Sequence, residues 1–326
     1  MTGVRAGDND QVIALAEALG LPYDVKQLDF NALCHLGPRL LGASSISLTA
    51  ASRAQIFASE PPDLTISAGH RSVPLVQALR QRSGGRLRSI HVGFPRISPA
   101  NFDLVVTTPQ YPIPDHPNLL RIPYALTRAA TAAPDPRDEA MLEPLPKPRR
   151  LLIIGGPTLF WDLDQAALLK TLSQMVAEAA DEGGSVLVTT SPRTPAAIEQ
   201  RVARLLTAAD APTLLAAPGK PPAYPSLLAA ADSIRVTADS VSMISDAIWT
   251  GKPLALVPVA NSTGGRIYTG VADRLRPGLP VYPQDLRFFW RGLSRLGLGD
   301  QLSRPPASTD AEMRRVRARA RSLLSN

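Results

Sequence analysis

Val236-Thr237-Ala238-Asp239-Ser240-Val241-Ser242-Met243-Ile244-Ser245-Asp246-Ala247 runs from an apolar segment through a turn of small polar residues into a helical pattern. A strand ending at Thr237 and a helix starting at about Ser240 leave unpaired backbone N–H groups, and the positive end of a helix dipole, at the strand's carboxyl end. That is an anion site. Asp246, about two turns into the helix, is placed to accept from a sugar hydroxyl if a nucleotide diphosphate lies over the helix start. The competing reading is that Asp239 or Ser240 caps the helix and Asp246 is a solvated side chain.

Working outward, the same β-then-α alternation repeats on both sides. Leu151-Leu152-Ile153-Ile154 reads as a buried parallel strand opening into Gly155-Gly156-Pro157. Helix is expected from Leu163 to Asp181, strand from Ser185 to Thr190, helix from Pro195 to Ala209, and strand from Thr213 to Ala216. After a helix from Tyr224 to Ala231 come a strand at Ile234–Thr237, a helix at Ser240–Trp249, a strand at Leu254–Val259 and a helix around Arg266–Leu275. Alternation at this spacing predicts a parallel sheet with helices on both faces. The first half repeats it less cleanly. It has a helix at Gln11–Leu19, strands at Leu64–Ser67, Ser89–Val92 and Leu104–Thr107, and a helix at Val73–Arg82; no apolar strand precedes Gly3.

Pro134, Pro136, Pro144, Pro146 and Pro148 punctuate a charged stretch with little periodicity, read as a linker. The expected organisation is therefore an α/β unit over 1–133, a linker over 134–150, a second α/β unit over 151–300, and a basic amphipathic helix over 301–326. That last helix carries Met313, Val316, Ala320 and Leu323 on one side, with Arg314, Arg315, Arg317, Arg319 and Arg321 elsewhere.

Three further loops suit an anion. Gly155 and Gly156 let backbone approach a phosphate closely, and Arg193 in Ser191-Pro192-Arg193-Thr194 would stand at the same sheet edge. Gly265 and Arg266, in Ser262-Thr263-Gly264-Gly265-Arg266, offer amides and a charge before a helix, or simply a turn with a surface arginine. In the first half, the loop bearing Arg5, Gly7 and Asp8 and the loop bearing Gly69 and His70 follow the same style. Asp8 and His70 are the candidate catalytic bases, a structural role for His70 being the plainer alternative. Asp162-Leu163-Asp164 has the DxD form of some metal-dependent sugar transferases, but its position before a helix favours capping.

The 326 residues, 44% hydrophobic and 19% charged, describe a globular chain and exclude a disordered, collagenous or coiled-coil one. Net charge is +7 with a pI of 9.9, which favours anionic partners. Cys34 is the only cysteine, so an intramolecular disulfide and thiolate-built zinc or iron–sulfur centres are excluded and a reducing compartment fits. No signal-peptide pattern and no apolar run of about 20 residues is present, which points to the cytoplasm. The dinucleotide fingerprint lacks its third glycine, and GxxxxGK[ST], HExxH and GxSxG do not occur. No metal site and no cofactor are expected, and no specific nucleic-acid binding. Contact with an anionic membrane through the C-terminal arginine helix is the partner expectation drawn from charge.

With these stretches in view, the sequence resembles the elongated-mitochondria fission-factor-like family, whose bacterial members carry a GT-B glycosyltransferase-type fold. The blocks that carry the resemblance are Arg5–Gln11, Ile66–Arg71, Phe102–Val106, Ile153–Pro157 and Val236–Ala247. The resemblance implies two Rossmann-like domains with parallel sheets facing across a cleft, the first on the acceptor side and the second holding a nucleotide-sugar donor. Carried over residue by residue, it assigns the diphosphate to Gly155, Gly156, Ser240 and Ser242, and the ribose to Asp246. That Asp stands where GT-B relatives have Glu, which shortens the reach. The activity so implied is a metal-independent glycosyltransferase with the nucleotide-sugar as substrate and a lipid or envelope-glycan acceptor. The alternatives are a non-catalytic adaptor of the same fold and, disfavoured by the missing fingerprint, an NAD-dependent nucleotide-sugar epimerase.

Overall fold

In a computed structural model, residues 1–3, 6–281, 284–305 and 309–324 are described. The chain divides into two compact units, Met1–Arg128 with Asp310–Asn326, and Ala129–Thr309.

The first unit is built on a parallel sheet of β1 (Leu64–Ala68), β2 (Arg88–Val92), β3 (Leu104–Thr107) and β4 (Leu119–Arg121), hydrogen-bonded in that order. Its helices are α1 (Ala6–Leu19), α2 (Pro38–Leu41), α3 (Ala50–Phe57) and α4 (Val73–Arg82). Every residue of β3 is buried, as a parallel strand covered on both faces requires. Sequence reading finds no strand before Gly3. In the structure the Met1 amino nitrogen donates to the Ile66 carbonyl at 2.8 Å, and Thr2 bridges Gln27 in parallel. So short a segment has no periodicity to read.

The second unit is a five-stranded parallel sheet made from β5 (Arg149–Ile154), β7 (Ser185–Thr190), β8 (Thr213–Ala216), β9 (Ser233–Thr237) and β10 (Leu254–Val257), in the order β10-β9-β5-β7-β8. A small antiparallel pair, β6 (Trp161–Leu163) with β11 (Val259–Asn261), stands apart from it. The helices are α5 (Pro136–Leu142), α6 (Gln165–Glu182), α7 (Ala196–Thr207), α8 (Tyr224–Ala230), α9 (Val241–Trp249), α10 (Thr263–Leu275) and α11 (Leu286–Arg295). Leu168, Leu172, Met175 and Ala179 recur along α6 at helical spacing and pack on Leu152, Ile154, Val186 and Val188 of the sheet. The chain lays down β5, β7 and β8 in one direction, then returns to place β9 on the other side of β5. The strand order therefore reverses between β5 and β9, and loops leaving the carboxyl ends at such a reversal form the usual ligand crevice of an open α/β sheet.

Two expectations are corrected. The stretch read as an irregular linker contains α5. Pro136 stands at the helix start, where its missing N–H costs nothing, Asp135 accepts from the Arg137 amide at 2.8 Å, and buried Asp138 accepts from the Ala223 amide and the Ser226 hydroxyl, each at 2.8 Å. The terminal segment is not an independent basic helix. Helix α12 (Thr309–Arg321) belongs to the first unit, with Val316 and Ala320 fully buried. Arg315, Arg319 and Arg321 donate to the carbonyls of Arg121, Pro117 and Leu19 at 2.7, 3.1 and 2.8 Å. Three of its five arginines thus serve as ties to the unit's own backbone.

Buried His91 on β2 contacts the Ser67 hydroxyl through Nδ1 at 3.1 Å. Burial, with the charge of His70 added, pushes its pKa from 6.5 down to about 3. Between those values the unfolded chain binds a proton that the folded chain does not, so stability rises with pH across the window and is lost on acidification. Urea unfolding between pH 7 and pH 4 is expected to show stability falling by up to about 1.4 kcal/mol per pH unit from this residue. The His91→Gln variant should show a shallower decline, and an unchanged slope would contradict the assignment.

Candidate functional site

At the strand-order reversal of the second unit, the loops after β5, β7 and β9 meet around one buried carboxylate. Asp239 has a side chain with no exposed surface. Its Oδ2 accepts from the Gly156 amide at 3.0 Å and from Arg193 Nη2 at 2.8 Å, and its Oδ1 accepts from the Thr237 hydroxyl at 2.6 Å. Thr237 Oγ1 in turn accepts from the Gly155 amide at 2.8 Å. Arg193 completes the closure by donating from Nη1 to the carbonyls of Gly156 and Pro157 at 2.7 and 3.2 Å. A buried carboxylate is tolerated when charged and neutral donors surround it in this way.

This network explains both glycines. A Cβ on Gly155 would lie 2.1 Å from Asp239 Oδ2, and one on Gly156 would lie 2.2 Å from the Arg193 carbonyl oxygen. Their amides, which sequence reading assigns to a phosphate, donate inward to Thr237 and Asp239. The first turn of α9 takes no part in this network, and the Arg193 side chain stays 42% accessible.

Ser240 adopts extended backbone and caps α9, its hydroxyl accepting from the Met243 amide at 3.4 Å. Ser242 follows within the first turn, where amides have no intrahelical acceptor. Asp246 is buried rather than solvated and accepts from the Tyr224 hydroxyl of α8 at 3.1 Å. Arg193, Ser240 and Ser242 are thus brought to one edge with Gly155 and Gly156, while Asp246 sits deeper along the helix.

Gly265 and Arg266 belong to a different local arrangement. Ser262 caps α10 by accepting from the Gly265 amide at 2.9 Å, and its own amide and hydroxyl donate to Phe160 and Leu159 carbonyls at 2.9 and 3.1 Å. A Cβ on Gly265 would lie 2.2 Å from the Phe160 carbonyl oxygen, so this glycine permits a helix to touch a neighbouring loop. Arg266 is exposed. Asp164 caps α6, accepting from the Ala167 amide at 3.0 Å.

Sequence reading missed the aromatic wall beside α9. Trp161 and Trp290 meet edge to face with centroids 4.7 Å apart, and Trp290 Nε1 donates to the Ala238 carbonyl at 2.9 Å. Val241 at the start of α9 packs against the same cluster. No spacing pattern links Trp161 to Trp290; only the fold does.

In the first unit Arg5 lies outside the described residues. Gly7 and Asp8 are in the first turn of α1. Gly69 follows β1 with φ of +72°, a conformation that favours glycine, and a Cβ there would lie 3.6 Å from Asp8 Oδ2. His70 opens the short turn that follows, close enough to His91 to lower its pKa. The same segment holds two residues that were not singled out. Asn9 brackets Gly3, accepting from its amide at 2.6 Å and donating to its carbonyl at 2.8 Å. Asp10 accepts from the Thr127 hydroxyl and the Arg128 amide at 2.9 and 2.7 Å. The polar run after Gly7 is therefore largely a set of ties.

The family model described as mitochondrial fission ELM1 matches residues 6–276. The mitochondrial fission protein ELM1 of Arabidopsis thaliana is 29% identical over 233 residues, which are 62% of this chain and 53% of that protein. The chain thus spans about half the length of this curated relative. Among solved structures, S. aureus MnaA with UDP matches over 90% of this chain and 86% of its own, at 12% identity and a TM-score of 0.50. UDP-GlcNAc 2-epimerase from Methanocaldococcus jannaschii matches over 90% of both chains, at 11% identity and a TM-score of 0.46. The likeness to the S. aureus protein, at this identity, is one of fold.

If Asp239 is what excludes a side chain at position 155, Gly155→Ala should lower the unfolding free energy by about 2 kcal/mol or more. In an Asp239→Ala background the same substitution should cost less than half as much, because the obstructing carboxylate is gone. A double-mutant cycle by denaturant unfolding measures this; costs that add to within about 0.5 kcal/mol would refute it.

Proposed function

The chain belongs to the mitochondrial fission ELM1 family and has a GT-B-like α/β fold, and from that premise we propose that its second unit binds a nucleotide-sugar and that the protein transfers the sugar. The observation that carries this reading is the start of α9 at the strand-order reversal, with Ser240, Ser242 and the exposed part of Arg193 beside it. A solved protein of similar fold, the S. aureus MnaA, is named with UDP, which is consistent with a nucleotide ligand.

In this reading the helix dipole, the first-turn amides and the guanidinium meet the diphosphate. Negative charge grows on the leaving nucleoside diphosphate as the glycosidic bond breaks. Donors fixed in place therefore stabilise the transition state more than the ground state. Arg193 is well suited to that task, because Asp239 and two backbone carbonyls hold its guanidinium in one orientation before any ligand arrives. Asp239 is accordingly a positioning residue. Asp8 and His70 are the candidate bases for the acceptor hydroxyl.

One observation favours the second reading, a non-catalytic adaptor. The amides of Gly155 and Gly156 are spent inside the protein, which leaves fewer phosphate donors than the glycine loop suggests.

A thermal-shift panel of UDP-, GDP-, ADP-, CMP- and dTDP-sugars separates the two. A nucleotide-sugar at 100 times its Kd should stabilise the folded protein by about 2.7 kcal/mol. Ser242→Glu places a carboxylate in the first turn of α9, where it suits the helix dipole but repels a diphosphate. It should leave the unliganded melting temperature unchanged or slightly raised and weaken binding at least about tenfold. A flat panel at saturating concentrations supports the adaptor instead.

A further inference from the structure

Helix α10 buries one side and leaves a second apolar side uncovered. At 3.6 residues per turn, Gly265, Thr269 and Ala272 fall together on the side that meets the Phe160–Trp161 cluster. Ile267, Val271 and Leu275 fall on an adjacent side and are exposed, Ile267 by 67% and Leu275 by 76%, while Tyr268, between the two sides, stacks on Phe160 with ring centroids 5.1 Å apart. Leu159, whose carbonyl receives the cap residue Ser262, and Leu279, just past the helix end, extend the same apolar character at both ends. A single exposed leucine needs no explanation, but a helix side of this length marks a docking surface.

The charges on α10 that enter no ion pair among the described residues have one sign. Arg266, Arg274 and Arg276 are exposed on or at the end of α10, and among the described residues no ion pair involves any of them. The one acid of the helix, Asp273, is held by Arg287 through contacts of 2.6 and 3.0 Å. That hydrogen bonding lowers the pKa of Asp273, so its charge is retained but locally neutralised.

We propose that this side of α10 docks in the plane of an anionic phospholipid bilayer. Ile267, Val271 and Leu275 enter the boundary between headgroups and acyl chains, and Arg266, Arg274 and Arg276 meet lipid phosphates. A second copy of the chain is a poorer occupant, because a two-fold pairing through α10 would set the arginines of one copy against those of the other. Among the described residues no helix is long and apolar enough to cross a membrane, so the contact lies in the surface. The assignment also moves membrane contact away from α12. Its apolar residues Val316 and Ala320 are buried, and of its five exposed arginines Arg315, Arg319 and Arg321 already donate to carbonyls of the first unit. The inference is independent of the nucleotide-sugar reading.

The test is co-sedimentation of the 326-residue chain with phosphatidylcholine vesicles, alone or containing about 30% phosphatidylglycerol. Binding is expected on the anionic vesicles. It should weaken at least about tenfold in Ile267→Ser/Leu275→Ser and in Arg266→Ala/Arg274→Ala/Arg276→Ala, and by less than about twofold in Arg314→Ala/Arg317→Ala. All these positions are exposed, and melting temperatures check that each variant folds. As an independent readout, Val271→Cys can be labelled with a polarity-sensitive fluorophore, since the native Cys34 is buried. The label should brighten on anionic vesicles and stay dim on neutral ones. The proposal is overturned if the unaltered chain does not sediment with anionic vesicles, or if the α12 variant loses binding while the α10 variants keep it. It is also overturned if the α10 patch instead drives a concentration-dependent dimer that Ile267→Ser/Leu275→Ser abolishes.

Discussion

A carboxylate without exposed surface must be met by donors on every side, and in the second unit that demand falls on Asp239. Its partners come from three different loops: Thr237 beside it, Gly156 after β5 and Arg193 after β7. Meeting the demand draws those loops together at the point where the strand order reverses. It also dictates glycine at 155 and 156, since any side chain would stand inside the carboxylate or the Arg193 backbone. The geometry of the candidate site follows from this one buried charge. Arg193 is oriented, and the glycine loop becomes a packing element.

The first unit is organised by ties of a different kind. Asn9 and Asp10, adjacent in α1, reach in two directions, one to Gly3 and the other to residues 127 and 128. Helix α12 returns to the same unit and is fastened through arginine side chains to carbonyls of two separate segments, the end of α1 and the stretch from Pro117 to Arg121. An arginine on a carbonyl binds through several N–H groups without needing an acid, so much of the basic excess of this chain is structural. The net charge of +7 is therefore a poor guide to the binding surface by itself.

Much of the architecture was legible because its causes are local. The apolar run at 151–154 and the segments rich in β-branched residues at 185–190 and 234–237, separated by helical periods, place β5, β7, β9 and the helices between them close to their observed bounds. The parallel α/β class follows from that alternation. The caps at Ser240 and Asp164 were readable for the same reason, as each acts on an amide three residues on. The short pieces were not. Thr2, β4 and the β6–β11 pair have too few residues to show a period, and α5 hides among prolines because its stability comes from Asp138 reaching α8.

What the sequence determined by itself, then, is the set of elements, the fold class and the candidate loops, since periodicity, caps and turns are interactions between near neighbours. Tertiary structure alone decided what those loops do. The amides of Gly155 and Gly156 turn inward because Thr237 and Asp239, more than eighty residues away, accept from them. Asp246 is buried because α8 supplies the Tyr224 hydroxyl. Both α10 and α12 are basic and amphipathic on paper, yet α12 spends its apolar side on the first unit and α10 leaves one uncovered. Which apolar side is buried depends on what the rest of the chain brings against it, and no local pattern carries that information.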